Sequence, residues 1–138
     1  MISVLLADDH RMVRDGLRLL LEASTDIQIT AQAANGQEAV EQALLNCPDI
    51  ALIDISMPVM NGIEAAQQIL ANCPHTQVMM LSMYDTPNYV RSAINAGAQG
   101  YMLKDAAGNE LVEAVRTLYS GDNYFSPRIA EIARQLLK

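Results

Sequence analysis

Ile50-Ala51-Leu52-Ile53-Asp54-Ile55-Ser56-Met57-Pro58 is an apolar run that ends on a carboxylate and enters a loop stiffened by proline. A short run without alternation is the pattern of a strand covered on both faces, as in a parallel sheet. The same design occurs at three other places. Val4-Leu5-Leu6-Ala7 precedes Asp8-Asp9, Val78-Met79-Met80-Leu81 precedes Ser82, and Tyr101-Met102-Leu103 precedes Lys104. In open α/β sheets the ligand site lies just beyond the carboxyl ends of the strands. Three carboxylates, a hydroxyl and an ammonium are therefore predicted to meet at one sheet edge.

Between these runs the apolar period changes to that of a helix. Arg11–Ala23 places Val13, Leu17, Leu20 and Leu21 on one side and Arg11, Arg14 and Arg18 on another. Ile27–Ala33 alternates strictly, which suits an edge strand with one better-covered face. Helices are predicted over Gly36–Asn46 with Asn35 as N-cap, over Asn61–Asn72, over Thr86–Ala96 closed by Gly97, and over Ala107–Tyr119. Asp85 or Thr86 would cap the fourth of the chain's helices. The pattern is (βα) repeated five times, a doubly wound five-stranded parallel sheet with helices on both faces. After Gly121-Asp122, Ser126-Pro127 opens an additional helix, Arg128–Lys138, with Ile129, Ile132 and Leu136 as its apolar stripe. The expected organisation is a domain over 1–121 and a C-terminal linker helix within 122–138.

Composition narrows the function classes. The 138 residues are 51% hydrophobic and 18% charged, ordinary for a globular domain, and no apolar run is long enough to cross a bilayer. The N-terminus lacks a basic leader, so a cytoplasmic location is expected. Cys47 and Cys73 are the only cysteines, and they read as reduced thiols. Asn46-Cys47-Pro48 and Asn72-Cys73-Pro74 echo one another; two similar helix-to-strand turns explain this more simply than a redox or metal pair. A net charge of −7 repels phosphate backbones, so this segment is not expected to bind nucleic acid itself.

The strand-end residues suit phosphoryl chemistry. Carboxylates this close cannot all ionise without compensation, and Mg²⁺ accepts a few carboxylates together with a phosphate oxygen. An aspartate there can attack phosphorus and form an acyl phosphate. An ammonium stabilises charge on the equatorial oxygens, and a hydroxyl can donate one hydrogen bond.

The ordered set Leu5-Leu6-Ala7-Asp8-Asp9-His10, Asp54-Ile55-Ser56-Met57-Pro58-Val59-Met60-Asn61-Gly62, Ser82 and Tyr101-Met102-Leu103-Lys104 resembles the receiver domain of bacterial two-component response regulators, across residues 2–120. Asp8-Asp9-His10 followed by Val13-Arg14-Asp15-Gly16-Leu17 resembles the NarL/FixJ (LuxR-type) group within it. The resemblance implies a flavodoxin-like strand order 2-1-3-4-5. It implies Asp54 as phosphoacceptor, with Asp9 and Asp54 ligating Mg²⁺, Asp8 acting through water, and Ser56 offering its backbone carbonyl. Lys104 would contact the phosphoryl group, Ser82 would be the switch hydroxyl, and Tyr101 would be the aromatic switch that turns inward. Met83 and Tyr84 fall where access and hydrolysis are tuned; with no acid or amide at Ser56 or Tyr84, slow hydrolysis is expected. The implied partners are a sensor histidine kinase, a second copy on phosphorylation, and DNA through a downstream helix-turn-helix domain.

Other readings are a stand-alone receiver acting through protein contacts and an Asp-nucleophile phosphatase. The phosphatase would need a second acid soon after Asp54, and residues 55–60 contain none. A nucleotide or flavin binder would need a Gly-rich loop after the first strand, where Asp8-Asp9 stands instead. His10 reads as a loop residue rather than a metal ligand, and no role is predicted for His75.

Overall fold

The computed structural model describes residues 1–136. Strands and helices alternate as β1 (Ile2–Ala7), α1 (Arg11–Glu22), β2 (Ile27–Ala33), α2 (Gly36–Leu45), β3 (Ile50–Asp54), α3 (Gly62–Asn72), β4 (Gln77–Ser82), α4 (Pro87–Asn95), β5 (Gly100–Leu103), α5 (Ala107–Tyr119), β6 (Tyr124–Phe125) and α6 (Pro127–Leu136). The sheet runs β2-β1-β3-β4-β5-β6, every pair parallel. The expected order 2-1-3-4-5 is thus extended by one short strand. Tyr124 and Phe125 pair with Gly100 and Tyr101, a ladder too brief to leave a periodic signal in the sequence.

Strand residues alternate between two apolar layers. Leu5, Ala51, Ile53, Val78, Met80 and Tyr101 face the side covered by α2, α3, α4 and α6. Val4, Leu6, Leu52, Met79, Leu81 and Met102 face α1 and α5. β3 and β4 lie inside the sheet and are covered on both faces, which explains their unbroken apolar runs. β2 is an edge strand with a mixed burial pattern, which explains its alternation.

Two helix ends carry the expected signals, Asn35 before α2 and Gly97 after α4, and Asn61, expected inside α3, caps it instead. Asn35 accepts from the Glu38 amide at 2.9 Å, and Asn61 accepts from the Glu64 amide at 2.9 Å. Gly97 has φ +97°, the left-handed geometry that ends α4. Thr86 precedes α4 without a side-chain cap bond, and Asp85 instead pairs with Arg128 of α6.

The added helix docks onto the domain. Ile129 is fully buried and Ala133 nearly so, both within the layer that contains Tyr101. Burying one isoleucine contributes about 2–3 kcal/mol, so α6 is anchored from Ile129 onward. The last two residues of the predicted helix, Leu137 and Lys138, lie outside the described residues.

The expectation for the cysteines is corrected. Cys47 and Cys73 are joined in a disulfide, with Cα atoms 5.7 Å apart. The two Asn-Cys-Pro segments do lead from α2 to β3 and from α3 to β4, as turns should. Because β3 and β4 are adjacent and parallel, the two turns also lie side by side at one pole. Sequence spacing cannot reveal that adjacency.

Candidate functional site

The carboxyl ends of β1, β3, β4 and β5 deliver their polar residues to one edge. Asp8 is fully buried, Asp54 is 3% exposed and Ser82 is 1% exposed. Lys104 follows β5 and sends Nζ to Asp8 Oδ2 at 2.8 Å and to Asp54 Oδ2 at 3.0 Å. The ammonium thus bridges two carboxylates that are 46 positions apart in the chain. Asp54 Oδ1 accepts from the Ser56 amide at 3.2 Å, and Asp8 Oδ1 accepts from the His10 amide at 2.8 Å. Both carboxylates are held by backbone donors on one oxygen and by Lys104 on the other.

The loop after Asp54 is fixed by close backbone packing. The Gly62 amide donates to the Ile55 carbonyl at 2.8 Å. A Cβ at Gly62 would lie 2.1 Å from the Asp54 carbonyl oxygen, so only glycine permits the start of α3 to sit against the end of β3. Within this loop Val59 adopts φ +70°, and the Met60 amide closes back on the Pro58 carbonyl at 2.7 Å.

Burial raises the pKa of Asp54 above the ordinary range, and the Asp8 charge adds to this. The Lys104 hydrogen bond and charge oppose the rise without cancelling it. Burial disfavours the Lys104 charge, but its close contacts with the Asp8 and Asp54 carboxylates outweigh burial and raise its pKa. Lys104 is therefore a firm cation at neutral pH, and Asp54 is a more basic carboxylate than a solvated aspartate.

Asp8, Asp9, His10 and Asp54 each offer a ligand atom within 4.8 Å of the others. Three carboxylates facing one ammonium leave two negative charges uncompensated. Among the described residues, Asp9 Oδ1 is buried without a hydrogen-bond donor, and Asp8 Oδ2 has only the ion-pair contact to Lys104, without hydrogen-bond geometry. A buried carboxylate oxygen short of a donor, in a cluster with more acids than cations, is what a divalent cation satisfies, so these residues fit Mg²⁺. His10 Nδ1 lies 3.1 Å from Asp9 Oδ1, but its side chain is 68% exposed, as a loop residue's would be.

Ser82 Oγ accepts from the Tyr84 amide at 2.9 Å. Tyr101 is fully buried, and its hydroxyl donates to the Tyr84 carbonyl at 2.6 Å. Burial pushes the Tyr101 phenol up, so it remains a donor. The structure thus describes the inward position of Tyr101. Met83 and Tyr84 are exposed at the rim, and Tyr84 stacks on Tyr89. An open groove of about 790 Å³ begins at Ser56 and runs past Glu64 and Tyr89 between α3 and α4.

Arg14 was not predicted to take part. Its Nη1 donates to the Asp8 carbonyl at 2.7 Å and fixes the peptide between the two acids. The only signal for it was its place in the basic row of α1.

A five-unit α/β sheet with an acid cluster, a bridging lysine and a hydroxyl at its carboxyl edge defines a receiver-type domain. The response regulator receiver domain model matches residues 4–116, and the chain belongs to that family. It is 36% identical over 129 residues to the oxygen regulatory protein NreC of Staphylococcus carnosus, covering 93% of this chain and 59% of that protein. It is 38% identical over 131 residues to the response regulator UvrY of Escherichia coli, covering 95% of this chain and 60% of that protein. Among solved structures, a LuxR-family two-component response regulator from Aurantimonas superposes with a TM-score of 0.92 at 32% identity, over 100% of this chain and 99% of that one. The chain spans about three-fifths of the length of the curated relatives it matches.

Proposed function

We propose that this domain is a phosphorylation-controlled switch, with Asp54 accepting a phosphoryl group from a sensor histidine kinase in the cytoplasm. The observation that carries this reading is the buried Asp8–Lys104–Asp54 bridge beside the orphaned Asp9 oxygen. Asp8, Asp9, Asp54 and the Ser56 carbonyl would hold Mg²⁺, which supplies charge neutralisation for the phosphoryl oxygens. Asp54 Oδ attacks phosphorus, and the bond from phosphorus to the donor group breaks. Lys104 remains near enough to transfer its contact to a phosphoryl oxygen. The absence of an acid at 55–60 leaves no group to protonate a leaving alcohol, so the domain receives rather than turns over.

The response follows the hydrogen bonds around Ser82 and Tyr84. Ser82 donates to the new oxygens in the phosphorylated state and gives up its bond from the Tyr84 amide. The Tyr84 carbonyl holds the Tyr101 hydroxyl, and the Tyr101 carbonyl accepts from the Ser126 amide at 3.1 Å, at the start of α6. Asp85, next to Tyr84, holds Arg128 of α6. A shift of this loop therefore changes the seating of α6 through two connections. The phosphoryl group acts by favouring one of two populated states. The outputs are dimerisation and DNA binding through a helix-turn-helix domain beyond the linker helix, consistent with relatives that extend well past the matched region.

The test is incubation with acetyl phosphate and Mg²⁺, followed by intact-mass measurement. One added phosphoryl group, absent in Asp54→Asn, supports the switch. Labelling that persists in Asp54→Asn, or rapid multiple turnover of phosphomonoesters, overturns it.

A further inference from the structure

At the pole opposite Asp54, Cys47 and Cys73 are bonded to each other. Cys47 is exposed, whereas Cys73 is 2% exposed. They line a pocket of about 160 Å³ together with Asp49 and His75. The disulfide closes a loop of 26 residues that begins before β3 and ends after α3. That loop contains Asp54 and the whole of the turn after it, from Ile55 to Gly62.

We propose that Cys47 and Cys73 form a reversible thiol–disulfide couple, a second input that stabilises the Asp54-bearing fold against unfolding when ambient thiols are oxidised. The asymmetry of exposure assigns the roles. An attacking thiolate approaches from the side of the exposed Cys47, so Cys73 is the leaving group, and it stays within bonding range for reclosure.

The oxidising step balances with a hydroperoxide as oxidant. The Cys47 thiolate attacks the peroxide oxygen, the O–O bond breaks, and a sulfenic acid forms with release of hydroxide or alkoxide. The Cys73 thiolate then attacks the Cys47 sulfur, the S–O bond breaks, and hydroxide leaves. Two electrons pass from the two thiols to the peroxide. In the reverse direction a small thiol such as glutathione attacks Cys47 and forms a mixed disulfide. A second glutathione resolves it, returning two electrons and two protons to the pair.

Closing a loop of this length restricts the unfolded chain, so the oxidised form should melt roughly 10 °C above the reduced form. Asp54 lies at the other pole, so its chemistry is available in both forms. The inference therefore stands apart from the phosphoacceptor reading.

The experiment equilibrates the 138-residue chain in glutathione buffers from fully reduced to fully oxidised. Free thiols are counted by alkylation and intact mass, and the melting temperature and acetyl phosphate labelling are read on the same samples. The expected result is a reversible transition within the series, a rise in melting temperature that tracks it, and loss of both in the surface variant Cys47→Ser. A bond that excess glutathione cannot open in the folded chain would make the disulfide a static brace and overturn the proposal. Thiols that stay free in oxidised glutathione, or a melting temperature indifferent to the bond, would overturn it equally. Failure of Asp54 labelling alone would count against the phosphoacceptor reading and leave the couple standing.

Discussion

Replacing Lys104 with methionine removes the ammonium while keeping most of the apolar stem. Nζ sits 2.8 Å from Asp8 and 3.0 Å from Asp54, and the side chain is 10% exposed. At an effective dielectric constant of about 20, unit charges 3 Å apart attract by roughly 5 kcal/mol. Desolvating the three groups offsets much of that, and breaking a buried pair by deleting one partner costs about 3–5 kcal/mol. Since methionine refills the apolar volume, a loss near 3 kcal/mol at pH 7 is expected, or roughly 10 °C in melting temperature at this length. The sign with pH is fixed by the two shifts. Lys104 is raised, so its contribution is complete at neutral pH and fades only above the ordinary lysine range. Asp54 is raised, and without Lys104 it rises further, so the variant becomes progressively less stable as pH climbs from about 4 to 7. The deficit against the parent should therefore shrink as pH falls toward 4, where the carboxyl takes up its proton. Added Mg²⁺ should narrow the gap at pH 7 by binding only the folded acid cluster. Melting curves across this pH range, with and without Mg²⁺, read all three. Equal stability at pH 7, or a deficit that grows on acidification, would refute the ion-pair account.

Val59→Gly should stabilise the domain. A β-branched residue at φ +70° carries about 1–3 kcal/mol of backbone strain, whereas glycine adds about 0.4–1 kcal/mol of unfolded-state freedom. Val59 is 81% exposed, so little packing is lost, and urea denaturation should show a net gain of about 1 kcal/mol; a loss would mean that the valine side chain makes a stabilising contact. Tyr84→Glu should speed loss of phosphate from Asp54 by placing a carboxylate at the rim where water approaches. The gain should fall short of the roughly 100-fold that a well-placed general base supplies. Timed intact-mass measurement after removal of the phosphodonor reads it, and unchanged lifetimes would refute a tuning role for Tyr84.

Much of the site was legible because each reactive residue closes an apolar run. Val4–Ala7, Ile50–Ile53 and Val78–Leu81 are strands covered on both faces, so their lack of alternation was itself the signal. Once those runs are parallel, Asp8, Asp54 and Ser82 must share an edge. Arg14 was missed because its bond goes to a backbone carbonyl, and an arginine on a solvated helix face looks the same whether or not it makes one. β6 was missed because two residues carry no period, and its existence depends on the free edge of β5.

The chain by itself determined the (βα) alternation, the parallel sheet, the strand-end acids and the added helix, because each depends on local period and on which residues terminate it. Tertiary structure alone decided which turns and loops touch. It joined Cys47 to Cys73 through the adjacency of β3 and β4, set Lys104 between Asp8 and Asp54, and tied the loop after β4 to α6 through Tyr101 and Asp85. Those contacts span separations from 17 to 96 positions in the chain. No periodicity reaches so far; only the packing of one element against another brings such residues within bonding distance.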